Sequence, residues 1–374
     1  MKYWSMMLHL YQPPTQDLEV TDAILKSCYL PLLKILSQKS GFGLTLNISG
    51  SLILQLHDLG ANEFFDLVKN LINDGKVEVV NSAIYHPLLP IIPEDVVTRQ
   101  IEKNSQALKI FLGIKTTNGF FPPELGINGK VINLINSNYI FVDESAVSVK
   151  SPIVKYGKKY LLMNNRKVCD LLREYPKRLP VEKIVDLIKQ NCSDDGLIVT
   201  VNDGELFGHH YSERLEVLSE LLNRGEIKFI KASEAINRFG MQAPEISKIF
   251  PSTWLDHKDF SMWNKNALQK EYLKLQNLIY KSLQNNSDTL TLDLFDRGTS
   301  SCYLYWLSNW PWWHPALVQK GAERLIECTK DFEAHKIYED FLDKMWKYHR
   351  SGKVEINYKE YDKKYKKMIT KKYA

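Results

Sequence analysis

The stretch VTVNDGELFGHHY, residues 199–211, sets Asp203, Glu205, His209 and His210 within eight residues, just past an apolar run. Two carboxylates two apart on a strand end face the same side. One can then donate a proton while the other binds substrate or tunes its neighbour. The plainer reading is a solvated turn, because Asp-Gly is a strong turn signal and polar residues gather where a strand leaves the core. The stretch acquires chemical meaning only with partners from elsewhere in the chain.

Other positions could supply them. Glu124 in GFFPPELG follows an apolar run and two prolines that fix the backbone before it. Rigid presentation of a carboxylate suits a nucleophile or a general acid. His86 in YHPLLP is a polar residue inside an apolar stretch, and taken singly it reads as a core histidine. His9 and Gln12 in HLYQPP, taken singly, only open a proline-rich turn. Asp143 ends the apolar run YIFVD, and Glu144 follows it.

What sets these residues apart is where the elements carry them. Seven strand-like runs lie at residues 3–10, 43–49, 77–83, 119–123, 139–143, 160–164 and 197–202. Between most of them lie amphipathic helix patterns. One, PEDVVTRQIEKNSQALKIFLG, opens with Pro93 and two acids and stops at Gly113. Another, SERLEVLSELLNRG, has Ser212 as its expected N-cap and Gly225 as its stop. Strand–helix alternation sustained this way predicts a parallel sheet with helices outside, either closed or open. In both architectures chemistry collects at the carboxyl ends of the strands. His9, His86, Glu124, Asp143 and Asp203 all fall at or just beyond such ends, so separate strands would converge on one mouth.

Beyond about residue 250 the pattern turns to long helices without strands, and seven of the eight tryptophans lie between 254 and 346. This reads as a helical, Trp-rich domain packed on the first. The expected division is 1–245, 246–358 and a basic tail at 359–374.

The net charge of +5 is carried by that tail, which holds seven lysines against Glu360 and Asp362. The body is neutral, which argues against a nucleic-acid face. Five scattered cysteines form neither a disulfide framework nor a Cys-type zinc site. The apolar run at the start is short and broken by His9, unlike a signal peptide, and no stretch is long enough to span a membrane. The expected location is the cytoplasm.

Two carboxylates from different strands, ringed by histidines and aromatic rings, suit glycosidic bond cleavage. Aromatic faces stack on the C–H surfaces of sugars. A phosphate-cradling loop, a G-x-S-x-G elbow and H-E-x-x-H are all missing from the sequence.

Five short regions together resemble glycoside hydrolase family 57. HLYQP (9–13) is similar to its first region, with Tyr11 replacing a second histidine, and NSAIYHPLLP (81–90) to its second, with Asn81 where glycine is usual. GFFPPEL (119–125) resembles the third, and VNDGELFGHH (201–210) the fourth. STWLDHKDFSMWNKNAL (252–268) resembles the fifth, followed by the aromatic LSNWPWW. The resemblance spans residues 3–330 and implies an α/β fold, an incomplete seven-stranded parallel (β/α) barrel followed by a helical domain, in a compact version. It implies a retaining enzyme without a required cofactor or metal, acting on α-glucans by hydrolysis or transfer.

In that scheme Glu124 is the nucleophile and Asp203 the acid/base. His9, Gln12, His86, Glu205 and His210 are expected to bind the oligosaccharide, with Trp254, Asp256, His257, Trp263 and Trp310 from the later regions. Two alternatives compete with it. One is a metal-dependent carbohydrate deacetylase or α-mannosidase-like enzyme using His and Asp ligands. The other is an inactive glycan-binding protein, which the retained Glu124 and Asp203 argue against.

Overall fold

The computed structural model describes residues 1–175, 179–192, 196–255, 259–284, 288–309 and 312–353. The basic tail, Asp256, His257 and Trp310 lie outside the described residues.

The strands are β1 (Lys2–Leu10), β2 (Leu44–Ile48), β3 (Val77–Val80), β4 (Gly119–Phe120), β5 (Tyr139–Asp143), β6 (Ile153–Tyr156), β7 (Lys159–Asn164), β8 (Leu197–Asp203), β9 (Ile227–Phe229) and β10 (Glu245–Ile246). One sheet runs β3-β2-β1-β8, with β9 against the start of β1. The second runs β10-β6-β7-β5-β4. A parallel bridge between Asn81 and Phe120 joins the two sheets at β3 and β4. The opposite seam stays open. There β7 and β8 meet through Asn165 N–H to Val199 C=O at 2.9 Å and Val201 N–H to the Asn164 side chain at 2.9 Å. All seven anticipated strands are present, in the architecture of an incomplete seven-stranded (β/α) barrel. The β6–β7 pair is antiparallel, a hairpin that the apolar runs did not signal.

Side-chain alternation decides which residues look inward. Along β1, Trp4, Met6, Leu8 and Leu10 pack against the surrounding helices, whereas Met7 joins the cluster inside the barrel. The period of two then carries His9 to the interior face. By the same step Val199 and Val201 lead to Asp203, and Tyr139 and Phe141 lead to Asp143. The interior row of polar residues at the mouth is therefore a continuation of the apolar rows below it.

The helix Glu94–Leu112 ends at Gly113 in the left-handed conformation, as its sequence predicts. The helix anticipated from Ser212 begins instead at Arg214. The buried Arg214 guanidinium donates to the carbonyls of Leu172 and Tyr175, which anchors the first helical turn to the chain before it.

Residues from Ser261 to Arg350 form helices around their own apolar cluster, which also takes in Leu88 and Val96 from the barrel. Among the described residues no helix is long and apolar enough to cross a membrane.

Candidate active site

Glu124 follows Pro122 and Pro123 beyond β4, with its backbone in the left-handed region at φ 61° and Leu125 beside it at φ 49°. Such a conformation costs on the order of 1–3 kcal/mol for a non-glycine residue and persists only where surroundings enforce it. Donors enforce it here. The Trp254 indole N–H donates to Oε2 at 2.7 Å and the Ser301 hydroxyl to Oε1 at 2.9 Å. The Trp254 backbone N–H also donates to the Glu124 carbonyl at 3.0 Å. Burial pushes the carboxyl up to about 7, against those two hydrogen bonds, and the charge of Asp203 adds to the rise.

Asp203 ends β8 directly beside His9 in the parallel register. Burial raises its pKa, while His9 and Arg173 pull it back. It lines a small cleft with Asn164, Arg166, Cys169, Asp170, Arg173 and Trp254. Trp254 is thus common to both acids: its indole holds Glu124 and its ring borders the cleft at Asp203.

The two histidines have determined tautomers. Asn47 donates its amide to the Val80 carbonyl at 3.2 Å, which turns its Oδ1 toward His9 Nδ1 at 2.7 Å. His9 therefore carries its proton on Nδ1. Ser301 spends its proton on Glu124, so its oxygen accepts from His86 Nδ1 at 3.1 Å. In both rings Nε2 is left as a bare acceptor, buried and without a partner among the described residues. Burial lowers the pKa of both histidines, and at His9 the Asp203 charge and the Asn47 hydrogen bond work against that fall. The rings of His9 and His86 stack at 4.9 Å, and Tyr11 stacks on His86 at 4.2 Å. Tyr11, which departs from the family pattern, also bonds Ser300 and Cys302 through its hydroxyl at 3.0 and 3.4 Å.

Gln12 and Glu205 lie behind Asp203 and are joined to Tyr29. Gln12 Nε2 donates to the Tyr29 hydroxyl at 3.0 Å, and that hydroxyl donates to Glu205 Oε1. Burial and the Asp203 charge push the Glu205 carboxyl up to about 8. His210 is exposed on the outer side of the turn and meets Glu205 through its backbone N–H. Trp263 is fully buried in the helical core, its ring 6.4 Å from Tyr305, and does not line the cleft at Asp203. Its apolar ring is spent on helix packing. Among the described residues no three His, Cys, Asp or Glu side chains come together as a ligand set for a metal ion.

The model of glycosyl hydrolase family 57 matches residues 2–249 of the chain. The chain belongs to that family. An α-amylase of Pyrococcus furiosus is 27% identical over 216 residues, covering 54% of this chain and 32% of the relative. A 4-α-glucanotransferase of Thermococcus kodakarensis is 26% identical over 141 residues, 37% of this chain and 21% of the relative. The chain thus spans about a third or less of these curated relatives. Among solved structures, a family 57 branching enzyme of Thermococcus kodakaraensis superposes with a TM-score of 0.70 at 16% identity, covering 98% of this chain and 94% of that one. The 4-α-glucanotransferase of Thermococcus litoralis gives 0.71 at 17% identity, covering 87% of this chain and 59% of its own. These likenesses establish the family 57 barrel with its helical region.

Ser301, Asn47, Tyr29 and Arg166 were not singled out in the sequence. Asn47 carried a usable signal, a polar residue near the end of the apolar run LTLNI. Ser301 carried none, because it sits in a short polar segment of the helical region. Arg166 forks onto the buried Asp143 and donates to the Thr253 and Leu255 carbonyls at 2.8 and 2.9 Å, which holds the strand-like strap that bears Trp254.

Proposed function

We propose that this family 57 chain is a retaining enzyme that cleaves or transfers α-1,4-linked glucans. Glu124 is its nucleophile and Asp203 its acid/base. The observation that carries this reading is the pairing of two unlike carboxyls at one mouth. Glu124 has a donor on each oxygen, which fixes its geometry for attack on an anomeric carbon. Asp203 borders the cleft, where a leaving oxygen can meet it.

In the first step Glu124 attacks the anomeric carbon while Asp203 gives its proton to the departing glycosidic oxygen, leaving a covalent glycosyl–enzyme ester. In the second step Asp203, now a carboxylate, takes a proton from water or from a sugar hydroxyl, whose oxygen displaces Glu124. Water gives hydrolysis and a sugar gives transfer. The bare Nε2 atoms of His9 and His86 call for donors, and sugar hydroxyls supply them. The rings of Tyr11 and Trp254 offer faces for the sugar. The names of the amylase and glucanotransferase relatives agree with an α-glucan as substrate.

Incubation with defined maltooligosaccharides and analysis of product length and linkage tests the reading. Shorter products alone mean hydrolysis, and longer ones mean transfer. New α-1,6 linkages mean branching. No conversion of any α-glucan would overturn the assignment of substrate class.

A further inference from the structure

The helix after β1 changes its winding part-way. Leu18–Ile24 is α-helical, Leu25–Tyr29 is π-helical, and Leu30–Gln38 is α-helical again. A π turn inserts an extra residue into the repeat and is frequent where a side chain is delivered to a functional site. This one faces the turn that follows Asp203 with three consecutive residues.

The Ser27 carbonyl oxygen lies 2.3 Å from where a Cβ on Gly208 would sit, and Gly208 has φ +119°, so only glycine permits the approach. The Cys28 thiol donates to the Gly204 carbonyl at 3.3 Å. The fully buried Tyr29 donates its hydroxyl to Glu205 Oε1. Gln12 Nε2 and the Tyr11 N–H approach the same oxygen at 3.5 and 3.3 Å. Glu205 is therefore held at its carboxyl from the π turn and from the β1 loop together. Its carbonyl meanwhile accepts from His210 N–H at 2.9 Å.

We propose that Tyr29 is a positioning residue for Asp203: the π turn grips Glu205 through the Tyr29 phenol and so fixes the turn of Asp203, Gly204 and Glu205 for proton transfer. The proposal rests on the acid/base reading of Asp203. Among the described residues the Asp203 carboxyl makes no hydrogen bond that sets its direction, so its aim comes from the backbone that carries it. That backbone is secured one and two residues later by Cys28 and Tyr29. Gln12 completes the grip, because its N–H occupies a lone pair of the Tyr29 oxygen and turns the phenol proton toward Glu205 Oε1, with the Tyr11 carbonyl a second acceptor at 3.3 Å.

Tyr29→Phe tests it. The variant loses the hydroxyl and keeps the ring, which packs edge-on to Phe64 at 6.2 Å. Two measurements are needed. The first is amide hydrogen exchange in the ligand-free protein, which does not depend on activity. Exchange should quicken at Tyr11 and across residues 203–211 while the rest of the barrel keeps its protection. Unchanged exchange there would overturn the proposal.

The second compares substrates. On maltooligosaccharides kcat should fall on the order of tenfold to a hundredfold, the scale of a displaced catalytic group. First-turnover fluoride release from α-glucosyl fluoride, which needs little acid assistance, should stay within about twofold. Equal losses on both substrates would make Tyr29 a general packing residue and overturn the proposal, as would no loss on either. If the unaltered protein acts on neither substrate, the proposed function fails, and hydrogen exchange alone decides the role of Tyr29.

Discussion

Trp254 grips Glu124 twice, with its indole on carboxylate Oε2 at 2.7 Å and its backbone N–H on the carbonyl at 3.0 Å. The proposed nucleophile stands beyond β4, yet both grips come from a strap well over a hundred residues later. Trp254→Phe removes the first and keeps the second. A hydrogen bond to a charged group is worth about 1.5–3 kcal/mol, so kcat/KM should fall roughly tenfold to a hundredfold.

The same variant has a pH signature. The nucleophile works ionised, and its carboxyl stands at about 7, so kcat/KM should fall as pH drops below that value. Losing the indole donor destabilises the carboxylate and raises its pKa further. The acid limb should therefore move to higher pH. A pH–rate profile of both proteins checks it; a limb that stays in place would mean that Glu124 does not set it.

Glu124→Gln should be nearly inactive on every substrate, because no ester can form without the nucleophile. Asp203→Asn should be severely impaired on glucans yet still form the intermediate from a glycosyl fluoride. Breakdown needs the same residue as base, so the ester should accumulate on the peptide that contains Glu124. Mass spectrometry of the digested protein decides this, and a sugar found on Asp203 or Glu205 would reverse the assignment.

Glu205 links the site to stability. Its folded carboxyl rises from 4.5 to about 8, chiefly through burial. Between those values the folded state holds a proton that the unfolded state has released, so this group favours the fold at low pH and costs stability as pH climbs through the window. Glu205→Gln removes the titration but keeps an oxygen for Tyr29. Its Tm, relative to the unaltered protein, should improve from about pH 5 to about pH 9. The lowered histidines act in both proteins and cancel in the difference. An offset independent of pH would contradict the proton count.

The division of the chain at residue 245 can be probed by truncation. Residues 1–245 alone would lack both donors to Glu124, Trp254 and Ser301, and would expose Leu88 and Val96 from the shared helical core. This fragment should be poorly soluble and inactive. Exhaustive chelation of the full chain should leave turnover intact; loss with EDTA and recovery with zinc would favour the metal-dependent alternative.

The sequence by itself determined seven of the ten described strands and the polar residues at their carboxyl ends, two acids among them. Apolar runs of period two end in His9 and Asp203, Glu124 follows a short apolar run and two prolines, and a parallel arrangement gathers such ends at one mouth whatever the details of packing. The family motifs supplied the roles proposed for Glu124 and Asp203. Tertiary structure alone decided how the acids are held. Ser301 and Trp254 reach Glu124 from outside the barrel, Asn47 fixes the His9 tautomer, and Tyr29 reaches Glu205 from a π turn. Each of these contacts joins residues far apart in the chain, and no local periodicity encodes which polar side chain will complete another's hydrogen bonds. Trp263 makes the same point in reverse. Tryptophan in an aromatic-rich segment looked like a sugar platform, but only packing decides whether a ring faces a cleft or fills a core.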